Sequence, residues 1–467
     1  MAASNNRNSR RKFLRNLGGS ALLMAVNPLA TSASSPETAE HILPYEKKIS
    51  ANDRIRIGVI GMGIMGYNNV ATALKVPGVE LVAACDLYAG RLEHAREVYG
   101  SQLFTTPDYR ELLNRKDIDA VIVATSDNWH ARIVTAALKA GKAVYCEKPM
   151  VHRISEGLPL IAAQKASGKV LQIGSQRVSS IVYAKAAELY KSGDIGKLNM
   201  IEASFDRQSA LGAWQYTMPT DADAAAVNWD RYIAGSAKAP YDPKKLFWWR
   251  NYREYGTGVA GDLFVHLLSG VHLVTGSKGP ETIFSSGQLS HWKDGRDVPD
   301  VMTAIMQYPE TDTHPSFQLN LRVNFISGGG DTSSIKLIGE EGVMELRGNS
   351  LNVRHSLMPK APGIGGWDAL STYPRAMQES LMQEYNSKYS ADDRQVPVKP
   401  VTEFKAPQGY NEHLDHFTNF FDSVRTGNPV VEDAVFGFRA AAPCLACNDS
   451  YFQKKIIQWD PVAMKVK

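Results

Sequence analysis

Cysteine is scarce in this chain: four in 467 residues, Cys85, Cys146, Cys444 and Cys447. That is too few for a disulfide scaffold, and no required disulfide is expected. Cys444-Leu-Ala-Cys447 has metal-like spacing, but no second pair or histidine cluster completes a zinc site. The pair sits in a small-residue helical stretch, so packing is the better reading and no metal is expected. Long apolar runs are also lacking. The run from Ala21 to Val26 is too short and weak for a permanent membrane anchor. Nor does one sign of charge dominate. Of 52 basic residues against 48 acidic, five (Arg7, Arg10, Arg11, Lys12 and Arg15) precede the first acid, Glu37. The remainder, 47 against 48, is near neutral at −1, with nothing to suggest nucleic acid or a membrane surface as partner. Internal repeats and low-complexity arrays are absent, and the length suggests two or three domains.

The five early basic residues belong to a targeting pattern. Ser9-Arg10-Arg11-Lys12-Phe13-Leu14 is a twin-arginine signature, followed by the Ala21–Val26 run and by small residues around Ala30 to Ser35. Residues 1–33 are expected to be a signal peptide handled by the twin-arginine export machinery, and 34–52 a polar linker. The mature protein is then periplasmic or extracellular. This route carries folded proteins, often with the cofactor already bound.

The stretch that organises the rest is Arg56 to Gly66. Ile55, Ile57, Val59 and Ile60 read as a buried parallel strand, and Gly61-Met62-Gly63-Ile64-Met65-Gly66 follows at once, ahead of a helix expected over Asn68 to Lys75. Gly61 permits the tight turn, Gly63 lets backbone approach a pyrophosphate, and Gly66 lets helix pack on strand. A second strand, Val79 to Ala84, ends in Cys85-Asp86, where a carboxylate takes ribose hydroxyls and repels a 2′-phosphate. Loop and acid together predict a dinucleotide site, with NAD favoured over NADP.

From residue 53 to 174, strand and helix patterns alternate, which predicts a doubly wound parallel sheet binding its ligand at the carboxyl ends of strands. Asp86, Thr125 and Lys148 fall at such ends. Beyond Gly174, residues 175–467 read as a second α/β domain. Strands at Leu198–Phe205, Ile283–Leu289, Val301–Tyr308, Phe317–Phe325 and Ser334–Gly339 form a mainly antiparallel sheet there. Residues 211–255 are loop-rich and aromatic, including Trp249 and Tyr252. Such density suits a sugar-stacking cleft, or simply a long loop holding itself together. Pro359 to Pro400 reads as an irregular surface insertion, and His413 to Tyr451 as helices closing over the sheet or the cofactor domain.

Two constellations carry chemistry. Glu147-Lys148-Pro149 closes the fourth strand, where a lysine would reach over a nicotinamide. In Gly256-Thr-Gly-Val-Ala-Gly-Asp262-Leu-Phe-Val-His266, aspartate and histidine stand at i, i+4, on one face of a helix. Imidazole can remove a hydroxyl proton as hydride leaves the carbon, and an ammonium beside it favours the alkoxide.

Gly61-Met-Gly-Ile-Met-Gly66, the helix Ala136-Ala-Leu-Lys-Ala-Gly-Lys142, Cys146-Glu-Lys-Pro-Met150 and the Asp262-x-x-x-His266 segment together resemble the Gfo/Idh/MocA oxidoreductases. The resemblance covers nearly the whole chain past the linker. It implies a Rossmann domain plus an α/β domain whose open sheet often forms an oligomer interface, so a dimer or tetramer is expected. It implies Lys148, Asp262 and His266 as a catalytic trio. Thr125, Asn128, His130, Glu147 and Gln176 fall at cofactor-lining positions, and Arg177, Trp249 and Tyr252 are substrate-side candidates. One departure is Phe264, where a small residue is usual. The implied activity is oxidation of a sugar or glycoside hydroxyl, at C3 for example, with hydride passing to a tightly held NAD. A redox-neutral NAD-dependent glycosidase and a non-catalytic sugar- or NAD-binding protein are the alternatives.

Overall fold

The computed structural model describes residues 53–467. The signal and linker segments expected at 1–33 and 34–52 lie outside the described residues.

Six parallel strands form the first sheet: β1 (Ile55–Ile60), β2 (Val79–Cys85), β3 (Phe104–Thr106), β4 (Ala120–Val123), β5 (Ala143–Cys146) and β6 (Leu171–Ile173). Their order is β3-β2-β1-β4-β5-β6, the doubly wound order whose switch point lies between β1 and β4. β4 is buried on both faces, as its unbroken apolar sequence demands, and so is β1 apart from the exposed Arg56 near its start. The helix after β1 runs Ile64–Ala73, four residues earlier than its expected start. Gly66 therefore lies inside the first turn of the helix.

The second sheet has ten strands, twice the number read from the sequence. β7 (Leu198–Asp206), β8 (Thr282–Gln288), β9 (Val301–Tyr308), β10 (Phe317–Asn324) and β11 (Thr332–Gly339) match the expected five. β12 (Gly342–Arg347), β13 (Ser350–His355), β14 (Thr402–Lys405), β15 (Ile457–Asp460) and β16 (Lys465–Val466) extend it at both edges. All pairings are antiparallel except β7 with β10. Along β9, Met302, Ala304, Met306 and Tyr308 point into the core while Thr303, Ile305 and Gln307 face outward. One face of the sheet is thus covered by helices, and the other leaves Ile305 and Phe284 nearly half exposed.

Chain order does not separate the two units. The helix Glu412–Thr426 returns to the first sheet, where Phe417, Phe420 and Phe421 share a buried cluster with Ile57, Val59 and Tyr145. Phe417 stacks on Tyr145 at 4.3 Å. The helix Ala434–Gln453 packs across β8 and against the helices Val265–Thr275 and Gly157–Ser167. Cys444 and Cys447 are buried in it as free thiols. The insertion at Pro359–Pro400 is less irregular than its sequence suggests. It carries a 14-residue helix, Arg375–Lys388, with no buried residue. Among the described residues, no helix is long and apolar enough to cross a membrane.

Candidate active site

The glycine loop has the shape its spacing demands. Gly61 has φ +96°, and a Cβ there would stand 2.5 Å from the Ala124 carbonyl oxygen. A Cβ on Gly66 would come within 2.0 Å of the Gly61 carbonyl oxygen, so only glycine lets the helix sit this close to the turn. Gly63 differs: its Cβ would meet nothing nearer than the Arg91 guanidinium at 3.9 Å. No side chain caps the helix that follows, and Ile64 is exposed in its first turn beside the half-buried Met65. The N–H groups of this turn are free to take phosphate oxygens. At the end of β2, Asp86 accepts from the backbone N–H of Met62 at 2.7 Å and of Tyr88 at 2.9 Å, and Arg91 Nη1 lies 3.5 Å away. The loop and its acid are thus joined directly, and they fit a dinucleotide.

The three residues expected to carry the chemistry, Lys148, Asp262 and His266, come together at the end of β5. Lys148 Nζ donates to the Asp262 carboxylate at 2.8 Å and to the Asp262 carbonyl oxygen at 2.9 Å. Asp262 lies in a π-helical turn, Ala260–Phe264, and His266 follows in the first turn of the α-helix Val265–Thr275. The expected single helical face is therefore a junction of two helix types, a frequent device at functional sites. Phe264, the departure from the family pattern, is fully buried in the main core below. His266 has a buried Nδ1 without a hydrogen-bond partner and lies 6.0 Å from the ring of Phe205.

The sequence gives no warning of Arg250. Its Nε donates to Asp262 Oδ1 at 3.2 Å, and its guanidinium stacks on Trp249 at 4.2 Å. Burial alone would raise the Asp262 carboxyl. The Lys148 ammonium and the Arg250 guanidinium outweigh it and hold the group well below the usual carboxylate range. Asp127 is a second residue not anticipated. It is buried and accepts from the Thr257 N–H at 2.9 Å and the Thr257 hydroxyl at 2.7 Å. It thereby ties the β4 loop to the glycine-rich entry of the π turn.

Burial, then the neighbouring Lys148 and Arg177, pushes the imidazole of His266 well below its ordinary value. A base of depressed pKa stays neutral to lower pH, so activity should persist as pH falls through about 6.5, where an ordinary histidine protonates. In a pH profile of kcat/KM the acid limb is expected clearly below that value. Removing one cation with Arg177→Met should move it upward. A limb that stays put in the variant would detach Arg177 from the titration.

The remaining predicted positions divide. Glu147 is buried and accepts from Asn69 Nδ2 at 3.0 Å, with burial raising its carboxyl. His130 sets its ring nitrogens 2.8 Å from the Pro149 carbonyl oxygen and 3.2 Å from that of Thr125, bracing the two loops from beneath. Thr125 contacts the Ser126 carbonyl, Asn128 accepts from the Ser126 hydroxyl, and Gln176 opens a short helical turn after β6. Arg177 donates to Ser333 Oγ at 2.9 Å and lies over Phe205, as Arg207 also does. Tyr252 is buried in an aromatic cluster with Tyr88, Trp229, Tyr232, Phe247 and Tyr255. For these residues the loop holding itself together is the reading the structure supports.

Comparison with known proteins fits this geometry. The Gfo/Idh/MocA family model for an NAD-binding Rossmann fold matches residues 55–175, and its C-terminal alpha/beta domain matches 187–459. The chain belongs to the Gfo/Idh/MocA oxidoreductase family. Among curated Gfo/Idh/MocA relatives, inositol 2-dehydrogenase of Salmonella typhimurium is 36% identical over 149 residues, 32% of this chain and 44% of that protein. The chain thus aligns with less than half the length of the curated relatives it matches first. Levoglucosan dehydrogenase, solved with NADH and levoglucosan, superposes with a TM-score of 0.60 at 18% identity, covering 87% of this chain and 99% of that one. Aldose-aldose oxidoreductase of Caulobacter crescentus, solved with glycerol, gives 0.60 at 16% identity over 87% and 99%. At such identities the likeness is one of fold.

Proposed function

We propose that this protein is an exported oxidoreductase that oxidises a hydroxyl of a sugar, glycoside or polyol, using a tightly held NAD. The observation that carries the reading is the placement of Lys148. Its ammonium is fixed by the carboxylate and the carbonyl oxygen of Asp262 at the carboxyl end of β5, close enough to His266 for its charge to act on the imidazole. When bound, the nicotinamide supplies the hydride acceptor. The loop Gly61–Gly66 and the helix behind it hold the pyrophosphate, and Asp86 holds the ribose and favours NAD over NADP. Lys148 polarises the substrate oxygen and stabilises charge developing on it. His266, kept neutral, takes the hydroxyl proton. Asp262 and Arg250 orient the lysine. The Salmonella relative's inositol and the levoglucosan in the structural neighbour support a polyhydroxylated substrate. A dimer or tetramer through the open face of the ten-strand sheet, and twin-arginine export directed by residues 1–33, complete the proposal.

The test uses the mature protein with no NAD added and a panel of polyols, aldoses and glycosides. A keto product, or one burst of reduced cofactor that continues only with an acceptor, supports the oxidoreductase. Free sugar released over many turnovers would instead establish the redox-neutral glycosidase. No reaction with any member, with ligands still bound, would favour a binding protein.

A further inference from the structure

Between β7 and the short helix Pro243–Phe247 the chain leaves the second domain and crosses the first. Residues 226–228 run antiparallel to the loop after β2. Tyr88 bridges Val227, the Ala89 N–H donates to the Ala226 carbonyl at 3.0 Å, and the Asn228 N–H donates to the Leu87 carbonyl at 2.9 Å. The crossing is pinned on both sides. Tyr88 Oη donates to Asp221 Oδ1 at 2.5 Å before it. After it, Arg231 donates to the Pro107 carbonyl at 2.9 Å and pairs with Asp108 at 3.2 Å. Two further bonds, Trp129 Nε1 to the Tyr232 carbonyl and Arg132 to that of Ala234, extend the contact to the loop and helix after β4.

The crossing and the loop after β2 together line an open cavity of about 610 Å³. The first domain contributes Asp86, Leu87 and Pro107, at the ends of β2 and β3, and the crossing contributes Val227, Asn228 and Trp229. In a doubly wound sheet the adenosine half of a dinucleotide lies at the acid that closes the second strand, here Asp86. The walls are apolar with a few polar groups, which suits an adenine and its ribose.

We propose that residues 221–231 are a retaining strap contributed by the second domain, which closes over the adenosine half of the cofactor and makes its release slow, with Tyr88 and Asp221 as the latch. This rests on the cofactor reading above and adds what sets cofactor exchange. Release requires the bridge at Tyr88 and both lateral pins to open together, whereas hydride and proton transfer leave them closed. Burial and the Asp221 hydrogen bond push the Tyr88 phenol up to about 12, so it remains a donor throughout the working range. A strap of this kind lets the folded protein be exported with its cofactor inside.

The test measures dissociation of bound NADH from the full mature chain, by fluorescence decay after a chase with excess NAD. Tyr88→Phe keeps the ring, including its edge contact to Phe247, and removes only the hydroxyl. It and Asp221→Ala are each expected to speed release about tenfold, the effect of one hydrogen bond to a charged group. The double variant should be no faster than either single one, since both remove the same bond. Release at the wild-type rate in Tyr88→Phe would overturn the strap. A wild-type chain that binds no NADH would instead overturn the cofactor reading, and the strap with it.

Discussion

Replacing Lys148 with methionine is expected to lower kcat about a thousandfold, the range of a lost proton-transfer and charge-stabilising group. The thermal midpoint should stay within about 3 °C of wild type. The second half of this expectation comes from Arg250. Both cations share Asp262 Oδ1, Lys148 at 2.8 Å and Arg250 at 3.2 Å. Without the lysine, the buried carboxylate keeps a partner. Asp262→Ala is the contrasting case. It leaves the largely buried cations of Lys148 and Arg250 without their shared anion, and should cost about 3 kcal/mol of stability besides activity. Steady-state kinetics and thermal unfolding of the two variants check this together. A Lys148→Met enzyme within tenfold of wild-type kcat would remove the lysine from the mechanism.

The glycine loop yields the second large effect, because two of its glycines serve different ends. Alanine at Gly63 meets no protein atom closer than 3.9 Å, so the fold should be unaffected. Its methyl group would stand where the pyrophosphate must approach, and NADH affinity should fall about a hundredfold, equivalent to ~2.8 kcal/mol. Alanine at Gly66 is in a helix, where the exchange normally stabilises by about 1 kcal/mol. Here the Cβ would fall 2.0 Å from the Gly61 carbonyl oxygen. Backbone cannot yield as a flexible side chain would, so a loss of at least about 3 kcal/mol is expected along with the binding loss. Titration with NADH and denaturant unfolding separate the two. Equal stability losses in both variants would mean that the turn is not shaped as described.

The difference between what could and could not be read from the sequence has a physical basis. β4 and β5 are buried on both faces, so their runs are apolar without interruption and stand out, and β1 is broken only by Arg56. The glycine spacing reports local geometry, and local geometry is what a sequence shows best. β12 and β13 are six-residue strands near a sheet edge, with a buried residue at every second position and half-exposed ones between. Ser350 to His355 in particular resembles any polar loop. Arg250 and Asp127 meet their partners only through the tertiary fold. Asp127 reaches across 130 residues to Thr257, and no spacing foretells that. The π turn likewise left no mark beyond the glycines around it. The aromatic stretch was ambiguous because a cleft and a small core draw on the same residues. Only the burial of Trp229, Tyr232 and Tyr255 favours a core.

The four cysteines have a consequence for how the molecule opens. Cys85 lies in the first sheet at its cofactor edge, Cys146 at the end of β5, and Cys444 and Cys447 in the helix joining the two units. All are buried, with Cys85 the most accessible at 3%. A thiol reagent in excess can reach none of them without local opening, so labelling rates independent of reagent concentration report the opening rate of each neighbourhood. The chain thus carries its own clocks for strand, active-site and interdomain breathing, readable by mass spectrometry without any engineered probe.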